Sequence, residues 1–462
     1  MTLTLALAAL AAPSVATAAA AGPRSGRSPA AGRSPAPGPS SGPDVAVVAG
    51  LERCAHPLRT AEPGGPGGDL AAFASMTRGA AIVGVGEASH GSRELFTLKD
   101  RLLRELVKRE GFSAFATEMT WSAAARIDAC VRTGEGDLRQ IMREELQDAY
   151  SLLNTEQLLN LFSWVREHNR TSPRPVRIVG LDFSDAGPEQ YERILSWAGR
   201  NASALVPELS RRYAALRALP AGVGARLAAY SALPLAERKA IAQDADAAHR
   251  LLAGAGKRDP WVLQEARVLA EMARSFAFDT DDPAQATAVN RHRSRTMAEF
   301  AVWWQRQTGD RVVVSAHNGH IAYESPMPAF YPVAMGGVLR ELVGREYVAV
   351  GTSLHGGDYR ARTATGGVGV FSVGPAAPGS NEHTLDQVRY RDFYIDLRTA
   401  ARDRLLGEWL NTARPTFVIP GRYPNQPTAP LALGRTFDVV VHLHKVRASV
   451  PVPVSVSVSQ PG

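Results

Sequence analysis

Four short apolar runs in this chain each end on an acid or a histidine, and that repetition constrains the fold more than any other feature. Ala81-Ile82-Val83-Gly84-Val85 runs into Gly86-Glu87-Ala88-Ser89-His90-Gly91. Phe112 to Thr117 ends on Glu118, Val176 to Leu181 ends on Asp182, and Arg311 to Ala316 runs into His317-Asn318-Gly319-His320. Short apolar runs of this kind read as buried strands. Leu95, Leu98, Leu102, Leu103 and Leu106 then recur at helical spacing, so Glu87 and His90 sit in a strand-to-helix turn. In open α/β sheets, ligands bind outside the carboxyl ends of the strands. The expected fold is therefore α/β, a mostly parallel sheet flanked by helices. If the four runs lie parallel, Glu87, His90, Glu118, Asp182, His317 and His320 share one edge. An acid and a base within reach of each other there point to proton-transfer chemistry.

The rest of the chain divides by pattern. Asn154 to Asn169 reads as a helix with Asn154 or Thr155 as N-cap. Residues 187–305 are rich in Ala, Leu, Arg and Glu, with apolar positions every three or four. They are expected to form an all-helical insertion that caps a core made of residues 46–186 and 306–448. Tyr347 to Gly351, Thr416 to Ile419 and Phe437 to Val441 are further strands, and Leu354 to Gly367 is a Gly-rich loop. Residues 449–462 are expected to be a flexible tail. At the start, the apolar run Thr2 to Ala12 and the small residues Ala16-Thr17-Ala18 resemble a signal peptide over 1–21. Export is the expectation, with a disordered Pro/Gly/Ser/Ala linker over 22–45. No later segment has the apolar length of a membrane span. In an exported protein Cys54 and Cys130 could form a disulfide, or they are two unrelated core residues.

Charge narrows the partners. The formal net charge is +7 over 462 residues, and the basic residues lie scattered among acids. No Lys/Arg run interleaves with aromatics, so nucleic-acid binding is disfavoured. A serine-hydrolase elbow, Gly-x-Ser-x-Gly at a strand-to-helix turn, is absent. Ser89 adjoins His90, but adjacent side chains diverge. Cys130 has no nearby histidine. Two alternatives to metal-free hydrolysis use the same residues. His317, His320, His90 and two carboxylates could hold a divalent cation, or a secreted small-ligand or haem-binding protein could use the histidines as ligands. His355, His442 and His444 show no partner pattern and read as ordinary residues.

The stretch from Gly84 through Glu118 resembles the erythromycin esterases. It holds Gly-Glu-Ala-Ser-His-Gly, then Arg93-Glu94-Leu95-Phe96, Leu102-Leu103-Arg104 and Gly111-Phe112. Trp164 to Asn169, Gly180-Leu181-Asp182, Met297-Ala298, His317-Asn318-Gly319-His320, Gly337 with Leu339, and Gly351-Thr352-Ser353 extend the likeness to roughly Cys54–Lys445. The resemblance implies a hydrolase that opens a macrolide lactone or related small-molecule ester without a cofactor. On it, His90 is the general base, and Glu87, Glu118, His317, His320 and Glu382 line the same pocket. Lys99, Arg104, or a protonated His317 or His320 would meet the developing oxyanion. Glu94 and Asp182 join the substrate-binding set, and the acids would attract a protonated amino sugar. Lys99 stands where many relatives carry Arg, and Arg293-Ser294 replaces the usual Arg-Asp.

Overall fold

Side-chain alternation sends each buried strand into two apolar cores, and this is why the runs carry no polar face. Val83 and Val85 enter one core while Ile82 enters the other; Val313 and Phe115 oppose Val312, Val314, Ala114 and Ala116 in the same way. The computed structural model describes residues 43–453 apart from 66, 221–222 and 426. The expected leader over 1–21 therefore lies outside the described residues, as does nearly all of the 22–45 linker. Its last residues already belong to a helix, Pro43–Cys54.

The sheet's principal strands are β1 (Ile82–Glu87), β2 (Ala114–Thr120), β3 (Arg177–Asp182), β4 (Val312–His317), β5 (Tyr347–Thr363), β6 (Phe393–Asp396) and β7 (Val439–Val446). Their spatial order is β6-β7-β5-β1-β4-β2-β3. From β7 to β3 all neighbours are parallel, and β6 is antiparallel to β7. Register aligns the carboxyl ends: Glu87 lies opposite His317, Thr117 opposite Ser315, and Thr120 opposite Asp182. The expected convergence on one edge is therefore what the backbone builds.

Helices α1 (Arg93–Glu110), α2 (Trp121–Thr133) and α3 (Glu156–Thr171) cover one face through Leu95, Leu98, Leu102, Ile127, Leu158 and Phe162. Thr155 is the N-cap of α3, accepting the Leu158 N–H. The other face is covered by the insertion. Tyr191, Ile194, Tyr213, Phe276 and Phe300 share one core with Ile82, Val179 and Val312. The last insertion helix is α4 (Pro283–Thr308). Residues 187–305 thus form a helical layer against the sheet, since their apolar stripes are used up on that face. Cys54 and Cys130 are both free thiols. Among the described residues, no helix is long and apolar enough to cross a membrane.

Two expectations are corrected. The Gly-rich stretch after residue 353 is no loop: β5 runs on to Thr363, paired with Val368–Val373 and with Arg422–Tyr423. Cross-strand hydrogen bonds outweigh the low β propensity of Gly356 and Gly357 there. Gly357 has φ +137°, and a Cβ on it would run into the Val446 carbonyl oxygen. The tail is also held as far as Pro453. Ser449 N–H donates to the Gly91 carbonyl at 2.8 Å, and Val452 N–H donates to the Asn154 carbonyl at 3.1 Å.

Replacing Gly357 with Ala adds both a backbone strain and a clash with backbone. It is expected to lower stability by about 2 kcal/mol or more, read as a drop in the urea midpoint. An unchanged midpoint would contradict the long β5.

Candidate active site

Gly91 closes the turn after β1 against β5, because a side chain there would collide with the Arg360 backbone. The turn brings His90 Nδ1 to 3.0 Å from Glu87 Oε1. The second carboxylate oxygen of Glu87 touches Lys99 Nζ. Lys99, on the inward face of α1 and 1% exposed, also donates to Ser315 Oγ at 2.9 Å and to the Ala316 carbonyl at 3.3 Å. Three acceptors around one nitrogen match the three N–H bonds of an ammonium. Burial pulls the Lys99 pKa well down, and the Glu118 carboxylate opposes that; the contact with Glu87 acts in the same protonating sense. A carboxylate can only accept, so Nδ1 of His90 carries the proton and Nε2 the lone pair. No hydrogen bond engages that Nε2 among the described residues. Burial depresses the His90 pKa below the ordinary imidazole range, the charges of Arg362 and Arg293 add to this, and Glu118 opposes it.

Facing His90 is a second ionic group. Glu118, where β2 loses register with β3, places Oε1 3.1 Å from both His320 Nε2 and Arg293 Nη2. Arg293, from α4, donates from Nη2 and Nε to Asp182 Oδ2 at 2.8 and 3.2 Å. The other oxygen of Asp182 accepts from Ser184 Oγ and from the Phe183 and Ser184 N–H groups. Burial alone would raise both carboxyl pKa values. For Glu118 it is outweighed by His320, His90 and Arg293, which hold it well below the usual range; for Asp182 it is outweighed by Arg293 and Ser184.

These groups surround a pocket of two lobes, both lined by His90 and Glu118. One lobe adds Tyr150, Leu152, Asp182, Arg293 and Arg362; the other adds His317, His320, Pro326, Met327 and Tyr331. Arg293 is the insertion's one residue in either lining. The remaining wall comes from the 3₁₀ turn Asp148–Leu153 and the loop after His320.

Several expected site residues do other work. Arg104 is five positions from Lys99, about 140° round a helix, and faces away, bonded to Asp100 and stacked over Trp164. Glu94 binds Arg447, at Oε1 2.7 Å from its Nε. Glu382 lies in a short helix, Asn381–Leu385, outside the lining, where Oε1 accepts the Phe417 N–H at 2.8 Å and burial pushes its pKa up to about 7. Lys99 and His317 stand at the site with no donor to spare for an oxyanion. His317 Nδ1 accepts the Gly319 N–H at 3.1 Å while Nε2–H donates to the Ile419 carbonyl at 3.2 Å. Its ring packs 4.9 Å from that of His90, and burial with the two neighbouring histidines keeps its pKa well down. Ser89 is 1% exposed and accepts the Gly91 N–H.

The sequence reading missed Arg293, Tyr150, Tyr331 and Arg362 as pocket residues. An arginine on the otherwise apolar face of α4 was the available signal for Arg293. His355, His442 and His444 do have a partner pattern: all three meet Asp386, at 3.3, 3.2 and 2.7 Å. Strand pairing of β5 with β7 gathers them from distant sequence positions.

One oxygen or nitrogen each from Glu87, His90 and Glu118 lies within 4.8 Å of the others, as a metal site requires. The fit is poor on charge. Both carboxylates are already engaged by Lys99, Arg293 and His320, so a cation would enter beside two fixed positive charges.

Comparisons with known proteins agree with this architecture. A profile of the family described as Erythromycin esterase matches residues 107–446. The span contains Glu118, Asp182, Arg293, His317 and His320; Glu87 and His90 precede it. Erythromycin esterase type II of Escherichia coli is 30% identical over 106 residues, which are 23% of this chain and about a quarter (24%) of that protein's length. The crystal structure of a protein from Bacillus cereus shares 28% identity, covering 88% of this chain and 98% of that one, with a TM-score of 0.80. An erythromycin esterase mutant, EreC, in its open conformation shares the fold alone, at 15% identity over 84% of this chain and 96% of that one, with a TM-score of 0.67.

Removing the buried lysine leaves the Glu87 carboxylate without its counter-charge. Lys99→Met is expected to destabilise the protein by about 3 kcal/mol or more, as for other broken buried ion pairs, measured by chemical denaturation. A change under about 1 kcal/mol, the range of exposed pairs, would contradict the structural role assigned to Lys99.

Proposed function

The chain belongs to the erythromycin esterase family, and on that premise we propose that it is a carboxylic ester hydrolase in which His90 activates water. The observation that carries the reading is the chain of contacts from Lys99 through Glu87 to His90 Nδ1. It leaves Nε2 as a lone pair on the pocket side of a neutral imidazole. A water there loses a proton to Nε2 as its oxygen attacks an ester or lactone carbonyl. The imidazolium that forms is stabilised by Glu87 on one side and Glu118 on the other. The carbonyl oxygen, now an oxyanion, faces Arg293, whose Nη1 is the nitrogen bound to no carboxylate, since Lys99, Arg104 and His317 have no free donor there and His320 Nε2 is held by Glu118. One such donor is typically worth roughly 3 kcal/mol. Collapse of the tetrahedral intermediate breaks the C–O bond, and His90 returns its proton to the leaving alkoxide. The products are an acid and an alcohol, joined in one molecule if the substrate is a lactone. Macrolide lactones are the first class to test, because the family takes its name from one.

The test is hydrolysis of macrolides, simple lactones and simple esters by purified protein, with products followed by mass. A cleaved substrate gains one water, and in labelled water the label enters the new carboxylate. His90→Ala is expected to lower turnover about a hundredfold or more. Undiminished turnover in a folded His90→Ala protein overturns the assignment of the base. Activity lost on prolonged chelation and restored by one divalent ion would transfer the reaction to a metal-bound water on the same residues.

A further inference from the structure

One wall of the pocket carries positive charge with no ion-pair partner among the described residues. Arg362 lines the lobe that holds His90, Glu118, Asp182 and Arg293. Arg422, on the short strand beside β5, is its direct partner in parallel register, so the two guanidinium groups leave the same face of the sheet. Like charges opposite each other across strands are destabilising unless something else compensates. Neither has a carboxylate within salt-bridge distance among the described residues. Among the described residues, the one side-chain hydrogen bond of Arg362 runs to the Asp148 carbonyl at 3.4 Å. The Nε atoms of Arg362 and Arg422 are buried without a hydrogen-bond partner, as is Nη1 of Arg360, two residues earlier on the same face of β5. Buried donors left unmatched in this way are rare and call for an acceptor.

The acids of the pocket offer none. Glu87 is held by Lys99 and His90, Glu118 by His320 and Arg293, and Asp182 by Arg293. A ligand therefore meets committed carboxylates and uncommitted guanidinium groups.

We propose that Arg362 and Arg422 form an oxyanion subsite, so that the substrate is an ester or lactone bearing a second group that is ionised, a carboxylate or a phosphate. Planar guanidinium groups suit both through paired N–H···O bonds. This rests on the hydrolase reading for the word ester, though not for the anion. It also runs against a substrate whose group on this side is a protonated amine, which would face like charge.

Two measurements separate the subsite from the reaction. The first is calorimetric titration with glutarate and, separately, inorganic phosphate at low ionic strength. Wild-type protein is expected to bind at least one of them in a one-to-one ratio, and Arg362→Gln to weaken that binding about tenfold or more. Arg404→Gln, at a surface site 93% exposed, should bind as wild type does. Which probe binds tells carboxylate from phosphate. Arg422→Gln serves in its place if Arg362→Gln does not fold. The second is the ratio of kcat/KM for monomethyl glutarate, an anion, to that for neutral dimethyl glutarate. The ratio is expected to favour the anion in wild type and to fall about tenfold in Arg362→Gln. Anion binding that needs Arg362, with neither these esters nor any macrolide, lactone or ester of the panel above cleaved, keeps the subsite and overturns the hydrolase. Esters cleaved without preference, and no anion binding or binding indifferent to Arg362 and Arg422, overturn the subsite and keep the hydrolase.

Discussion

A lysine ammonium buried under the carboxyl edge of the sheet is the contact on which the site depends. From α1, Lys99 reaches Glu87 at the end of β1 and Ser315 and Ala316 at the end of β4. It therefore ties a helix to two strands and fixes the carboxylate that orients His90. A buried charge persists only when it is paired and fully hydrogen-bonded, and here one cation meets both needs. Its neighbours are constrained in turn: Glu87 cannot turn away without stranding the ammonium, and His90 cannot flip without losing its acceptor.

The opposite wall obeys the same rule with other residues. Arg293 bridges Glu118 and Asp182, so two strand ends are joined by a helix of the insertion. The two ionic groups keep Glu118 and Asp182 ionised while burial holds His90 and His317 neutral, which is the pairing that base catalysis at neutral pH requires. Arg362 belongs to a different wall, with Arg422 paired beside it, and the two bear on what enters the pocket more than on what happens there.

Much of this was legible in the sequence because it depends on local pattern. Runs such as Ile82–Val85 and Val312–Ala316 are apolar on both faces, so their burial in a parallel sheet follows, and a titratable residue at each carboxyl end follows into the pocket. The roles of Lys99 and His317 were not legible. Proximity placed both at the site, but whether a donor is free depends on acceptors more than two hundred residues away for Lys99 and about a hundred away for His317. The continuation of β5 past Gly357, the anchoring of Ser449 and Val452, and the gathering of three histidines on Asp386 depend on pairing between distant strands, which local propensity does not encode. Arg362 and Arg422 were hidden for the same reason, since they become neighbours only through that extension.

Whether His90 can serve as a base turns on the state of its imidazole. Nitrogen-15 correlation spectra of His90, followed across pH and assigned by comparison with a His90→Gln protein, report both the tautomer and the titration. A neutral ring is expected at pH 7 with its proton on Nδ1, turning cationic only below the ordinary imidazole value of about 6.5, because burial and the nearby arginine charges disfavour the protonated form. A proton on Nε2 at neutral pH, or a ring still cationic above pH 7, would contradict it.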